Sequence, residues 1–318
     1  MRERAFDYRQ YLKNMSIRVE QITKKYGTQK ALDAVSFSIR KGEIVGLLGP
    51  NGAGKSTMMK ILSCYIPPTS GRAAVCDFDI LEQSLDVRKK VGYLPENNPL
   101  YLDMYVKEFL LFIAGIHRLG KASKSRVAEM IDMTGLQAEQ NKKIGALSKG
   151  YKQRVGISQA LIHDPEVLIL DEPTSGLDPN QIVDIRDLIS NIGKQKTVML
   201  STHIMQEVEA ICGRAIIIHN GIIVADDSTA NLSRLATTEN IILVEFDLPV
   251  KEALLKAIHG VQKLKSVKAN TWELHCDPLK DLRSDIFQFA VQNKLNILSM
   301  QKKEGKSIQE VFQQLTKD

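Results

Sequence analysis

The chain has 318 residues, 43% of them hydrophobic, and a formal net charge of +6 at pH 7. That is length for about two domains and apolar content for a full core, which excludes wholesale disorder. The positive surplus is shared about equally between residues 1–14, the middle of the chain and residues 240–318. No basic block or aromatic–basic stripe marks a nucleic-acid groove, so no nucleic-acid partner is expected. The surplus suits solubility or weak attraction to an anionic membrane surface. Apolar runs such as Ala215–Ile218 and Val167–Leu170 fall far short of the ~18–20 residues of a membrane span. The charged N-terminus MRERAFDYRQYLK has no apolar signal segment, and a place inside the cell is expected. Cys64, Cys76, Cys212 and Cys276 make no C-x-x-C pair and no zinc spacing with His. They read as small hydrophobes in a reducing compartment.

In chain order, residues 1–14 are polar and stand apart from the periodic sequence that begins at Met15. Either they are a flexible extension or translation starts at Met15. From there to about residue 95 the pattern is strand and turn. SIRVEQI alternates through Ile17 and Val19, then resumes one step late at Ile22, while VSFSI alternates through Val35, Phe37 and Ile39. EIVGLLG is a short apolar run of the kind that forms a buried strand, and a helix follows it. Residues 104–164 read as mostly helical. Val106, Phe109, Leu110, Ile113 and Ile116 follow i, i+3, i+4, i+7 spacing. Val127, Met130 and Ile131 continue it, with Ser123 or Ser125 expected to cap and Gly135 to stop that helix.

Strand–helix alternation returns over 166–225, which implies a parallel sheet interrupted by a helical insertion at about 97–165. Residues 226–240 read as a polar linker with room for one helical turn. Beyond it the expected order is strand 241–246, helix 250–258, strand 261–268, strand 271–276, helix 279–293, strand 295–300 and helix 307–315. Without the last helix this is β-α-β-β-α-β, the ferredoxin-like split motif, with Trp272 expected in its core. The expected division is an extension at 1–14, an α/β domain at 15–228, a linker at 229–239 and a small α+β domain at 240–318.

Two stretches carry chemistry. GPNGAGKST matches G-x-x-x-x-G-K-[ST] from Gly49 to Ser56, after an expected buried strand and at the start of a helix, the context a phosphate loop requires. Backbone N–H groups of Gly49, Pro50, Asn51, Gly52, Ala53 and Gly54 (proline excepted) and of the first helical residues Lys55, Ser56 and Thr57 can approach phosphate oxygens. Lys55 can reach the outer phosphates as a point charge, and the Ser56 hydroxyl can ligate Mg²⁺. VLILDEPTSGLD then supplies a buried strand ending in Asp171, suited to Mg²⁺, and Glu172, suited to orient and deprotonate a water. An acidic pair at a strand end is often no more than a cap, but not after such a loop.

Taken in order and spacing, these stretches, ALSKGYKQR at 146–154 and STHIMQEVE at 201–209 resemble the nucleotide-binding subunits of ABC (ATP-binding cassette) transporters over residues 16–225. The resemblance implies a P-loop α/β ATPase core with a helical insertion, with ATP and Mg²⁺ as cofactors. It also implies a separate membrane permease and a second cassette, identical or not, stacked head to tail. Each ATP would then lie between one phosphate loop and the partner's signature helix. By the same resemblance Ser148 and Gly150 meet the partner's ATP, while Lys149 and Tyr151 depart from the family's Gly and Gln. Lys149 is expected to face solvent. Tyr26 would stack on adenine, though a strand-end aromatic can also just pack on the core. Asp178 would contact the partner, and His203 would contact the γ-phosphate. Glu96 stands where the family usually has Gln; a carboxylate can still offer oxygen to Mg²⁺ or water.

The stretches around YLPE and SIQEVFQQLT resemble an export-type branch handling drugs, sodium or polysaccharides. GYLPENNPLYLDMYVKEFL with STHIMQEVEAIC resembles most closely the ATPase subunits assigned to gliding-motility systems. The expected place is the inner face of the cell membrane. Two other readings stand beside this one: a soluble ABC protein acting on ribosomes or DNA, and a non-hydrolysing interaction module. The single phosphate loop and the lack of heptad runs weigh against the first, and the intact Lys55, Asp171, Glu172 and His203 against the second.

Overall fold

The structure, a computed structural model, describes residues 14–236, 240–268, 270–276 and 281–303. The expected extension at 1–14 lies almost wholly, and the helix at 307–315 wholly, outside these residues. The chain forms two compact units, Met1–Thr229 and Ala230–Asp318.

The first unit opens with a long hairpin, β1 (Met15–Tyr26) and β2 (Gln29–Arg40). Ile17 faces Ile39, Val19 faces Phe37 and Ile22 faces Val35, with a register shift between Val19 and Ile22. That shift explains the late step in the hydrophobic alternation. Gln21, at φ 52°, forms a bulge that absorbs one residue and returns Ile22 to the core face. With β4 (Ser70–Val75) and β5 (Phe78–Asp79) the hairpin makes a four-stranded sheet ordered β2-β1-β4-β5.

A second sheet has six strands, ordered β10-β9-β3-β8-β7-β6: β3 (Ile44–Leu48), β6 (Val91–Leu94), β7 (Val167–Asp171), β8 (Thr197–Thr202), β9 (Arg214–His219) and β10 (Ile222–Ser228). All neighbours pair in parallel except β10, which runs antiparallel to β9. Val167–Leu170 and Ala215–Ile218 are fully buried, as strands covered on both faces must be. Helix α1 (Lys55–Leu62) buries Met58, Met59, Ile61 and Leu62 in one core with residues of both sheets. A short helix α2 (Ser84–Lys90) leads into β6.

Between β6 and β7 the chain leaves the sheet as the helices α3 (Val106–Ile116), α4 (Ser123–Met133) and α5 (Lys149–Leu161). Gly135, at φ 67°, ends α4 as expected. Neither Ser123 nor Ser125 caps it. Ala122 holds the N-cap at the end of a 3₁₀ turn, Gly120–Ala122, that runs straight into the helix, and the Ser125 hydroxyl donates back to the Ala122 carbonyl at 2.9 Å. Helices α6 (Pro179–Gly193) and α7 (Met205–Ile211) complete the connections of the parallel sheet.

The polar stretch read as a linker carries regular structure over residues 226–236. β10 runs to Ser228, and α8 (Thr229–Ala236) follows it. An edge strand tolerates charge, and Asp226 is tied there by a two-point bond from Arg214, Nε–Oδ1 2.6 Å and Nη2–Oδ2 2.7 Å. Leu232 is buried, which gives the short helix its inward face.

The second unit contains β11 (Asn240–Phe246), α9 (Glu252–Lys256), β12 (Val261–Lys268), β13 (Thr271–Cys276), α10 (Arg283–Gln292) and β14 (Ile297–Lys303). Its antiparallel sheet is ordered β12-β13-β11-β14, so the hairpin β12–β13 and the edge β14 flank the first strand, as the split β-α-β-β-α-β motif requires. Ile242, Val244, Phe246, Trp272, Leu274 and Ile286 form its core, Trp272 among them as expected.

His117 and His163, at the ends of α3 and α5, stack at 4.2 Å with rings 2° from parallel. His163 Nε2 donates to the Val91 carbonyl at 3.1 Å, and its Nδ1 is buried without a partner. Protonating Nδ1 would bury an unpaired donor. Burial therefore pushes the His163 ring down to about 4, helped by His117 and by Arg126 and Lys196 nearby. Burial also lowers His117. An unfolded histidine takes its proton near 6.5, so the unfolded state gains protons that the folded state refuses as the pH falls. Stability should be full above pH ~6.5 and decline toward pH ~4, by about 1–2 kcal/mol once solvent screening at the ring edge is counted. Urea titrations between pH 7.5 and 4.5 should show this slope, and His163→Gln should flatten it; equal slopes would refute the assignment.

Candidate nucleotide site

The loop from Gly49 to Gly54 joins β3 to α1 and lies at the C-terminal edge of the parallel sheet, where open α/β folds bind ligands. Its shape depends on two glycines. A Cβ on Gly49 would come within 2.4 Å of the Ile218 carbonyl oxygen, and one on Gly54, whose φ is 109°, within 2.5 Å of the Ala31 carbonyl oxygen. The loop therefore seats backbone against backbone, and α1 begins with N–H groups that have no intrahelical acceptor.

Lys55 folds back under this loop. Its ammonium donates to the carbonyls of Gly49 at 2.7 Å and Pro50 at 3.2 Å and lies 3.3 Å from Glu172 Oε1. Lys55 is 6% and Glu172 8% exposed, so the pair is buried and each charge offsets the cost of desolvating the other. Glu172 also meets His203, Oε2 to Nδ1 at 3.0 Å. A carboxylate only accepts, so Nδ1 carries the proton and Nε2 remains for another partner. Glu172 stands at φ 48°, a conformation non-glycine residues rarely hold and one that stores roughly 1 kcal/mol or more. The strain turns the chain out of β7 just where the carboxylate meets Lys55.

Asp171, one residue earlier, is 2% exposed. Its Oδ1 accepts the Ser56 hydroxyl at 3.0 Å and the Ser201 hydroxyl at 2.6 Å. Ser201 in turn accepts the Glu172 N–H at 2.9 Å. Sequence reasoning missed Ser201; its only signal was a place two residues before His203 at the end of a buried strand. A cavity of about 380 Å³ is lined by Lys55, Ser56, Glu172 and His203, with Asn51, Gly52, Thr57, Glu96 and Ser175 also on its wall. Glu96 also lines an adjoining cavity of about 460 Å³ with Ser56, Asp171 and Tyr93. Burial first, and the Asp171 carboxylate second, raise the Tyr93 hydroxyl well above its ordinary value.

Of the expected site residues, Gly49, Pro50 and Ala53 of the loop line neither of these cavities, nor do Tyr26, Ser148, Gly150 and Asp178. Tyr26 is 52% exposed with the Lys24 ammonium 5.3 Å above its ring, so it does not pack on the core. Ser148 caps α5 by accepting the Tyr151 N–H at 3.4 Å, and Asp178 caps α6 by accepting the Gln181 N–H at 2.9 Å. Gly150 is buried, and a Cβ there would lie 2.7 Å from Gln181 Cδ, so this glycine lets the start of α5 approach α6. Lys149 is exposed, as expected, with its ammonium over the Cα of Gly176, where a Cβ would lie only 2.2 Å away.

Comparison with known proteins accords with this geometry. The family model described as "ABC transporter" matches residues 32–175. The chain is 34% identical to the bacitracin transport ATP-binding protein BcrA of Bacillus licheniformis, over 88% of this chain and 88% of that protein. It is 33% identical to the linearmycin resistance ATP-binding protein LnrL of Bacillus subtilis, over 94% and 98%. Among solved structures it is similar to an ATP-binding subunit of an ABC transporter, at TM-score 0.62 and 30% identity over 69% of this chain and 92% of that one. It is also similar to the dimeric cassette MJ0796 bound to ADP and Pi, at TM-score 0.61 and 27% identity over 67% and 98%. The phosphate loop, the acidic strand end and the helical insertion thus occur together in a chain that belongs to the ATP-binding subunits of ABC transporters.

Proposed function

We propose that this chain binds and hydrolyses ATP to drive export through a separate membrane permease, and that a second cassette completes each ATP site. The observation that carries this reading is the convergence of Lys55, Ser56, Glu172 and His203 on one cavity wall, with Asp171 joined to Ser56 from the adjoining cavity. In it, Lys55 and the N–H groups at the start of α1 hold the phosphates. Glu172 orients a water and takes its proton, and His203 steadies the Glu172 carboxylate and offers Nε2 to the outermost phosphate.

The Ser56 hydroxyl and Asp171 carboxylate are hard oxygen donors that fit Mg²⁺, with Glu96 within reach of the same wall. Among the described residues no group of three or more His, Cys, Asp or Glu is placed to hold a metal alone. The ion would therefore arrive with phosphate and water as its other ligands, and it would supply charge neutralisation at the phosphates. On this reading residues 15–228 form the ATPase domain and 240–318 an appended one, Tyr26 stacks on adenine, and Ser148, Gly150 and Asp178 serve the partner's site across a dimer.

No helix among the described residues is long and apolar enough to cross a membrane, so attachment to the inner face would come through the permease. Names of relatives such as BcrA and LnrL point to drug-type cargo, and the resemblance to gliding-motility subunits is a narrower alternative for cargo. The test is to recover full-length Glu172→Gln with ATP from gently solubilised membranes and identify what comes with it by mass spectrometry. A co-purifying multi-span protein is expected. Ribosomal or DNA-bound partners in its place would overturn the transport reading.

A further inference from the structure

Glu207 lies in α7, four residues after His203, and is 2% exposed. Its two carboxylate oxygens serve different segments. Oε2 accepts the Thr202 hydroxyl at 2.6 Å, and Oε1 accepts the Thr174 hydroxyl. These threonines flank the reacting groups: Thr202 immediately precedes His203, and Thr174 follows Glu172 by two residues. The Thr202 oxygen also accepts the Ile204 N–H at 3.0 Å, which closes the chain around His203. On the other side, the Ser175 N–H donates to the Glu172 carbonyl at 3.1 Å and the Leu177 N–H to the Thr174 carbonyl at 3.2 Å, closing the turn after Glu172.

A carboxylate is a costly thing to bury, and a fold that needed only packing here would do better with an apolar side chain. What an ionised carboxylate offers is acceptance only, at both oxygens at once, so it can hold two hydroxyl donors through charge-assisted bonds. A neutral amide cannot do this, because one of its ends donates. The surroundings are dry: burial first, and the Glu207 charge second, push the Cys212 thiol up to about 12.

We propose that Glu207 is a positioning residue that clamps the segments carrying Glu172 and His203, so that their 3.0 Å contact is already formed before a nucleotide reacts. The proposal rests on the ATPase reading above. It assigns Glu207 no contact with nucleotide; it acts on turnover through the pair it holds.

Three full-length variants test it: Glu207→Gln, which keeps size and shape, Thr174→Val, which removes one arm from the opposite side, and Glu207→Gln combined with His203→Ala. The two single variants should lower kcat at least about tenfold while KM for ATP stays within about twofold. The double variant should be no slower than His203→Ala by more than about twofold, since both changes disable one arrangement. In nucleotide-free protein labelled with ¹⁵N-histidine, the His203 Nδ1 resonance, assigned by its loss in His203→Ala, should shift in Glu207→Gln. A kcat within about twofold of the parent, with an unmoved resonance, would overturn the proposal. So would parallel loss of melting temperature and ATP binding, which marks a part needed only for folding. If the parent chain shows no hydrolysis, the ATPase reading fails, and the His203 resonance still decides whether the clamp exists.

Discussion

Glu172→Gln should reduce ATP turnover by roughly 10²–10⁴-fold while ATP binding persists. The amide keeps the shape of the side chain and can still accept from His203, but it cannot take a proton from water. It also removes the negative member of the buried Lys55–Glu172 pair, in which Nζ and Oε1 are 3.3 Å apart. With that carboxylate gone, the Lys55 ammonium lacks its internal counter-charge and should favour incoming phosphate more strongly. The variant should therefore bind ATP at least as tightly as the parent and accumulate an ATP-held dimer, visible as an earlier peak in size-exclusion chromatography. Only monomer in the presence of ATP would count heavily against the composite-site mechanism, and undiminished turnover would remove Glu172 from its role as base.

Lys55→Ala should act at the opposite end of the same pair and weaken ATP binding. Three partners hold the ammonium now, the Gly49 and Pro50 carbonyls and Glu172. Removing it deletes the buried cation of the cavity wall and leaves Glu172, 8% exposed, with the His203 ring as its polar side-chain contact there. An uncompensated carboxylate would then face entering phosphates of its own sign. The loss of a charge-assisted contact and the added repulsion together should weaken ATP binding by about 2–4 kcal/mol, or roughly 30- to 1000-fold in Kd. Titration with a fluorescent ATP analogue reads this directly, with circular dichroism to confirm that the variant folds. Affinity within about threefold of the parent would mean that the backbone cradle alone carries the phosphates.

The two variants make a pair of opposites, since one should trap nucleotide and the other should bind it weakly. Their contrast follows from a single short ion pair that no stretch of the sequence displays. The residues were nonetheless legible as candidates, because each half sits in a motif with local context. GPNGAGKST was bracketed by a buried strand and a helix, and VLILDE ended an apolar run in two carboxylates. Legibility failed where a residue's role depended on a distant partner. Ser201 bridges Asp171 and the Glu172 amide, and Glu207 joins Thr174 to Thr202, yet a serine at a strand end and a glutamate on a short helix look ordinary when read in isolation. The expected caps Ser123 and Ser125 failed for a related reason: the 3₁₀ turn Gly120–Ala122 already leads into α4, so no hydroxyl was needed there.

By itself the sequence determined what depends on neighbours along the chain. Spacing of apolar residues set most strands and helices, and glycine, lysine and serine at fixed offsets set the phosphate loop. The same local periodicity set the β-α-β-β-α-β order of the second unit. Only the tertiary structure decided what depends on residues far apart in the chain. It brought Ser56 to Asp171 across 115 positions and His203 to Glu172 across 31. It turned a polar stretch into an edge strand through Arg214 and Asp226. It also made Gly150 a point of close packing against Gln181. The physical reason is that backbone periodicity is a local property, written in each run of residues, whereas a buried charge acquires its role from whatever the fold places within about 3 Å of it.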